Sequence, residues 1–175
     1  MAQAGITSEA QDLLIDSFTR IRERVVSVTD GLSREAAGYR PDAESNSIAW
    51  LVWHLARIQD DHVADVAGVS QALVEKGWAD RLGLPFDERD TGYGHTADQV
   101  AAVDVDPRLL ADYHADVDAL TRGFLDGLEP GDLDRVVDER WDPPVTLGVR
   151  LVSVIGDCLQ HVGQAAYLRG VAERR

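Results

Sequence analysis

Four stretches of about twenty residues, each with apolar side chains recurring at steps of three and four, constrain this chain more than any other feature of it. Leu14, Phe18, Ile21, Val25 and Val28 form one stripe of an amphipathic helix from about Ser8 to Thr29, and Gly31 stands where a left-handed terminator is wanted. Ser45, Asn46 and Ser47 offer N-cap oxygens for a second helix, Ser47 to Ala67, which Gly68 ends. A third begins at Pro107, a favoured first-turn residue, and runs to Leu128 with Leu110, Tyr113, Val117, Leu120 and Phe124 on one face. Glu129-Pro130-Gly131 stops it. Asp132 to Pro144 is polar and contains Trp141-Asp142-Pro143-Pro144, whose two prolines exclude helix and a central strand. A fourth helix follows, Thr146 to Val171, with Val152, Ile155, Leu159, Val162 and Ala166 as its expected packed face.

Without alternation of strand and helix, four such helices predict an all-α four-helix bundle built as a single domain over residues 1–175. Residues 69–105 form a long crossover between helices two and three, so simple up-down-up-down connectivity is not guaranteed. The 69–96 part holds Pro85 and Gly92-Tyr93-Gly94-His95, with room for a short helix over Gln71 to Gly77. A net charge of -14 and a pI near 4.6 argue against nucleic acid and anionic membrane surfaces as partners, because both are bound through lysine and arginine. Cys158 is the sole cysteine, which excludes an intramolecular disulfide. No apolar run approaches the ~20 residues of a membrane span, and the start resembles no signal peptide. The expectation is a soluble, cytoplasmic protein. Lys76 and Asn46 are the only residues of their types, a bias that suggests a GC-rich source.

In a bundle, chemistry sits where a polar residue interrupts an apolar face. His54 does so among Leu51, Val52, Trp53, Leu55 and Ile58, although a lone histidine in such a setting is more often a hydrogen-bonded core residue. Asp157 and His161 stand four apart on the fourth helix, so they share a face and can share a metal ion. Within Val152 to Tyr167 they are the only acid and the only imidazole. An Asp-to-His contact within the helix explains the spacing equally well. Together with His54 they make a set of two imidazoles and one carboxylate, which suits Zn²⁺, Ni²⁺ or Fe²⁺ and leaves coordination positions open. Cys158, rotated about 100° from Asp157, reads as a core residue. His62 lies about 12 Å beyond His54 along the helix and cannot join the same centre. Asp60, Asp61 and Asp65 read as solvated charges, with Asp61 the best placed to support a metal ligand, and His114 reads as a surface residue.

Ser47-Ile-Ala-Trp-Leu-Val-Trp-His54-Leu-Ala-Arg, then Gly77-Trp78 and Gly92-Tyr-Gly-His95, and finally Asp157-Cys-Leu-Gln-His161-Val-Gly163-Gln164-Ala-Ala-Tyr-Leu-Arg169-Gly170 resemble the DinB-like, or YfiT-type, bundle superfamily over essentially the whole chain. The likeness is greatest to the actinobacterial mycothiol-dependent transferases and to the metal-binding domain of mycothiol-dependent maleylpyruvate isomerase. The resemblance implies that His54, Asp157 and His161 hold a divalent metal, with Asp157 where the commonest superfamily pattern has histidine. It implies a zinc-dependent S-transferase in which mycothiol, the co-substrate, binds the metal as thiolate and attacks an electrophile, a detoxification chemistry. The 69–96 segment would then close over the metal, with Arg81, Arg89, Tyr93 and His95 as candidate substrate contacts. A small thiol and a small electrophile are the expected partners, and a homodimer is an admissible assembly. The competing readings are a metal-dependent hydrolase and a non-enzymatic metal-binding helical domain.

Overall fold

The computed structural model describes residues 3–129 and 131–174; Pro130, expected to help stop the third helix, lies outside them. In chain order the elements are α1 (Gln3–Thr29), α2 (Arg34–Ala37), α3 (Ile48–Ala67), α4 (Ala72–Glu75), α5 (Trp78–Leu82), α6 (Ala97–Ala101), α7 (Pro107–Asp126), a single 3-10 turn (Asp132–Asp134), β1 (Val136–Asp138), β2 (Val145–Thr146) and α8 (Leu147–Ala172). The four long helices α1, α3, α7 and α8 are the four the periodicity predicts. Their ends follow local chemistry. The Ser47 side chain accepts from Trp50 N at the start of α3, Gly68 ends it in the left-handed conformation, and Thr146 caps α8 by accepting from Val149 N. Proline stands at the first turn of α7, and Asp106 accepts from Arg108 N.

Both α1 and α3 pack against α7 and α8, which places α1 and α3 across the bundle from each other. Two long helices consecutive in the chain are therefore diagonal partners, and the connectivity is not a plain up-down-up-down one. Fifteen of the twenty residues of α3 are buried, so the other elements wrap this helix. Any polar side chain on it must then find its partners inside the protein. The α1 stripe is buried along its length, from Leu14 through Phe18, Ile21 and Val25 to Val28. Each of these residues contributes roughly 1.5–3 kcal/mol by leaving water.

On α8 the expected face is right at Val162 and in part at Ile155 but off by about one residue at Val152, Leu159 and Ala166. Val152 is 64% exposed and Leu159 43% exposed, whereas Leu147, Leu151, Val154, Cys158, Val162, Ala165 and Leu168 are buried. The helix is apolar nearly all round, so several stripes compete and only its neighbours select one. The polar stretch after α7 also contains a small antiparallel hairpin, with Val136 opposite Thr146 and Asp138 opposite Val145. The two prolines sit in the loop between its strands, outside the ladder, as their missing N–H requires. The crossover carries α4 to α6, and α4 falls within the short helix expected over 71–77. Among the described residues no helix is long and apolar enough to cross a membrane.

Candidate metal centre

α3 and α8 are packed neighbours, and their contact brings His54 together with Asp157 and His161. One ligand atom from each of the three lies within 4.8 Å of the others, the one such group of His, Cys, Asp or Glu among the described residues. His54 Nε2 is 3.9 Å from Asp157 Oδ2, and His161 Nε2 is 3.6 Å from Asp157 Oδ1. The two imidazole rings meet edge to face with centroids 4.7 Å apart.

The far side of each ring is occupied. His54 Nδ1–H donates to the Thr91 carbonyl at 2.5 Å, and His161 Nδ1–H donates to Gln164 Oε1 at 2.8 Å. Each bond fixes the tautomer in which Nε2 keeps its lone pair, the arrangement that partners of ligating histidines impose. Burial pushes the His54 pKa down, which keeps that lone pair free at neutral pH, against an opposing contribution from the Thr91 bond. The Asp157 carboxylate raises His161. Burial would raise Asp157, but His161 and His54 outweigh it and hold the group ionised, below the usual carboxylate range. Asp157 Oδ2 is buried without a hydrogen-bond partner. An orphaned carboxylate oxygen facing two imidazole lone pairs lacks a cation to complete it, so the residues present fit a divalent metal.

A strap over residues 88–95 covers one side of this group. Trp50 stacks on His54 at 4.7 Å and 10°, and its Nε1–H donates to His95 Nδ1. His95 Nε2–H in turn donates to the Asp90 carboxylate at 3.0 Å, and its ring stacks on Trp53. Gly92 N donates to the same Asp90 side chain. Gly92, at φ +91°, presses so closely on the aromatic layer that a Cβ there would stand 2.9 Å from Trp53 and 3.0 Å from His54 Nδ1. Arg57 of α3 is 1% exposed and anchors the strap from beneath, donating to the carbonyls of Glu88 and Asp90.

The four loop residues are thus scattered. His95 is engaged through both ring nitrogens in the layer behind His54. Arg81 stacks on Trp78, 3.3 Å from its ring centroid. Arg89 is exposed, and Tyr93 is 93% exposed. Cys158 points into the core, its Sγ–H donating to the Leu55 carbonyl. His62 packs with Arg150 and Asp61, and Asp61 accepts from Gln71; neither belongs to the three-residue group, though His62 and Asp157 act on each other through their charges.

Two expectations are overturned. Asp60 is fully buried, accepting from Ala72 N, Leu73 N and the Tyr113 hydroxyl with Arg57 beside it. His114 is fully buried too, against Gln59. Arg57, Gln164, Gly92 and the Thr91 carbonyl are the site's supports that spacing missed. Arg57 did leave a signal as the only cation in the apolar run from Ile48 to Ile58; a backbone carbonyl leaves none.

With this geometry in hand, the likenesses to known proteins become informative. A family model described as mycothiol-S-transferase matches residues 13–173. A crystal structure described as the conserved protein of locus from Enterococcus faecalis is 32% identical, with 94% of this chain and 97% of that one covered and a TM-score of 0.86. No curated protein matches.

Proposed function

Because the chain belongs to the mycothiol-S-transferase family, we propose that it is a divalent-metal-dependent S-transferase joining a low-molecular-weight thiol, mycothiol, to small electrophiles. The observation that carries this reading is the set of buried His54 with half-buried Asp157 and His161, two imidazole lone pairs and an unpartnered carboxylate oxygen turned toward one another. The donors suit Zn²⁺ first, with Ni²⁺ and Fe²⁺ as alternatives. A divalent cation held there favours the ionised form of a thiol near neutral pH.

The chain itself supplies no nucleophilic sulfur. Cys158 is buried, and burial pushes its thiol well above the ordinary range, so the reacting sulfur must arrive with the co-substrate. What the protein contributes is positioning. Thr91 and Gln164 hold the two imidazoles in one tautomer, and Asp157 supplies the single negative charge. Trp50, Trp53 and Gly92 keep water from the His54 side. The unshielded side is that of α8, where Asp157 and the flanking Gln160 and Gln164 reach the surface. Conjugation of an electrophile there is a detoxification step, which we place in the cytoplasm.

The test couples metal analysis of the purified protein to thiol consumption, with mycothiol and glutathione compared against one electrophile. Near-stoichiometric metal, turnover with mycothiol, and loss of both in His54→Ala and His161→Ala are expected. Full metal content in both variants, or hydrolysis of the electrophile at the same rate without any thiol, would overturn the reading.

A further inference from the structure

On the side of His161 away from Asp157, a groove runs between the loop that leads into α3 and the C-terminal half of α8. Its volume is about 580 Å³, the size of a site for a small organic molecule. Gln164, whose Oε1 holds His161 Nδ1, is one of its wall residues. The groove therefore begins one hydrogen bond and one imidazole width from the metal-facing nitrogen. We infer that it seats the hydroxyl-rich, sugar-like body of the thiol co-substrate; this rests on the S-transferase reading of the neighbouring site.

The chemistry of the walls points to a neutral polyol. Glu44, Asn46 and Tyr167 line the groove, and none of these side chains is hydrogen-bonded within the protein. Glu44 can accept from a pair of hydroxyls, Asn46 can both donate and accept, and the amide nitrogen of Gln164 can donate. Tyr167, 72% exposed, offers a flat face on which the C–H side of a saturated ring can lie. Among the described residues no cation lines the groove, which disfavours a phosphate or carboxylate ligand. The guanidinium of Arg40, next in sequence to the lining residue Pro41, is committed elsewhere: it donates to the carbonyls of Ala43, Ser45 and Ala97. Asp42 adds a bond to Glu44 N. The 40–46 loop is thereby held rigid before any ligand arrives, which limits the ordering cost of binding.

The decisive experiment compares two thiols, mycothiol and free cysteine, on metal-loaded protein with one electrophile. Cysteine has the thiol without the hydroxyl-rich body. Tyr167→Ala and Asn46→Ala, both outside the core, should raise KM for mycothiol roughly tenfold each, the loss of one good contact. KM for cysteine and the bound metal should stay as in the wild type. An unchanged KM for mycothiol in both variants, or an equal rise for both thiols, overturns the groove. Should the wild type bind mycothiol without turning it over, and Tyr167→Ala weaken that binding, the groove stands and the S-transferase reading falls. If the wild type turns over both thiols with the same KM, the groove falls and the S-transferase reading stands.

Discussion

Gly92 shows how much of the candidate centre depends on single atoms that are not ligands. Its φ of +91° disfavours any side chain, and its missing Cβ leaves room for Trp53 at 2.9 Å, His54 Nδ1 at 3.0 Å and Trp50 at 3.1 Å. Gly92→Ala must therefore lift the strap and pull the Thr91 carbonyl from His54. We expect metal affinity to fall by about 10- to 100-fold, the usual effect of losing a ligand's supporting hydrogen bond. Gly94→Ala is the control, since φ there is +74° and nothing lies within 4 Å. It shares the backbone strain without the collision, so equal metal affinity in the two variants would contradict the clash. At this scale the candidate ligand group was legible, because helical spacing places Asp157 and His161 on one face and an apolar run singles out His54. The supports were not. The carbonyl of Thr91 has no side-chain signature, and Asp60 and His114 look like surface residues until the packing of α7 and the crossover on α3 shuts water out.

The elements that matter most are α3 and the strap it carries. Arg57 donates to the Glu88 and Asp90 carbonyls, to Gln71 Oε1 and to the Tyr113 hydroxyl, and it lies 3.5 Å from Asp60. Arg57→Met keeps the apolar stem and removes all of these bonds. Asp60 retains three donors, so the loss should stay near the lower end of the 3–5 kcal/mol seen when buried ion pairs are broken, about 3 kcal/mol by urea unfolding. Metal affinity should fall with it, since the strap holds His54. A variant with wild-type affinity would show that Thr91 stays in place unaided. Helix boundaries and the α1 stripe were readable because caps and one-sided patterns are local. The α8 face was not: with apolar residues on every side, the choice between Val152 and Leu151, or Leu159 and Cys158, belongs to α1 and α3. The hairpin at 136–146 escaped for a related reason, its strands being too short to show a period.

For the molecule as a whole, the all-α bundle could be read from periodicity, but the diagonal placement of α1 and α3 could not, because it depends on how the crossover travels. The same packing creates an acid-sensitive core. His114 on α7 is fully buried, with the charge of Arg22 from α1 acting on it and Asp118 one helical turn further along α7. Burial, aided by the charge of Arg22, lowers its pKa from 6.5 to about 3. The folded protein thus keeps this ring neutral, while the unfolded chain protonates it below about pH 6.5. Stability from this group is complete above that value and is lost progressively as the pH falls toward 3, where the loss is on the order of 4 kcal/mol. Easing of the repulsion among the excess carboxylates runs the other way as they protonate, so the wild-type profile alone mixes two effects. His114→Gln separates them: glutamine can still donate to Gln59 Oε1, as His114 Nε2 does at 3.2 Å, but it does not titrate. Urea unfolding of both metal-free proteins between pH 7.5 and pH 4 should therefore diverge, the wild type losing stability relative to the variant at each step below about pH 6.5. Parallel profiles would mean that His114 takes up its proton in the folded core, with Asp118 or entering water accommodating the charge.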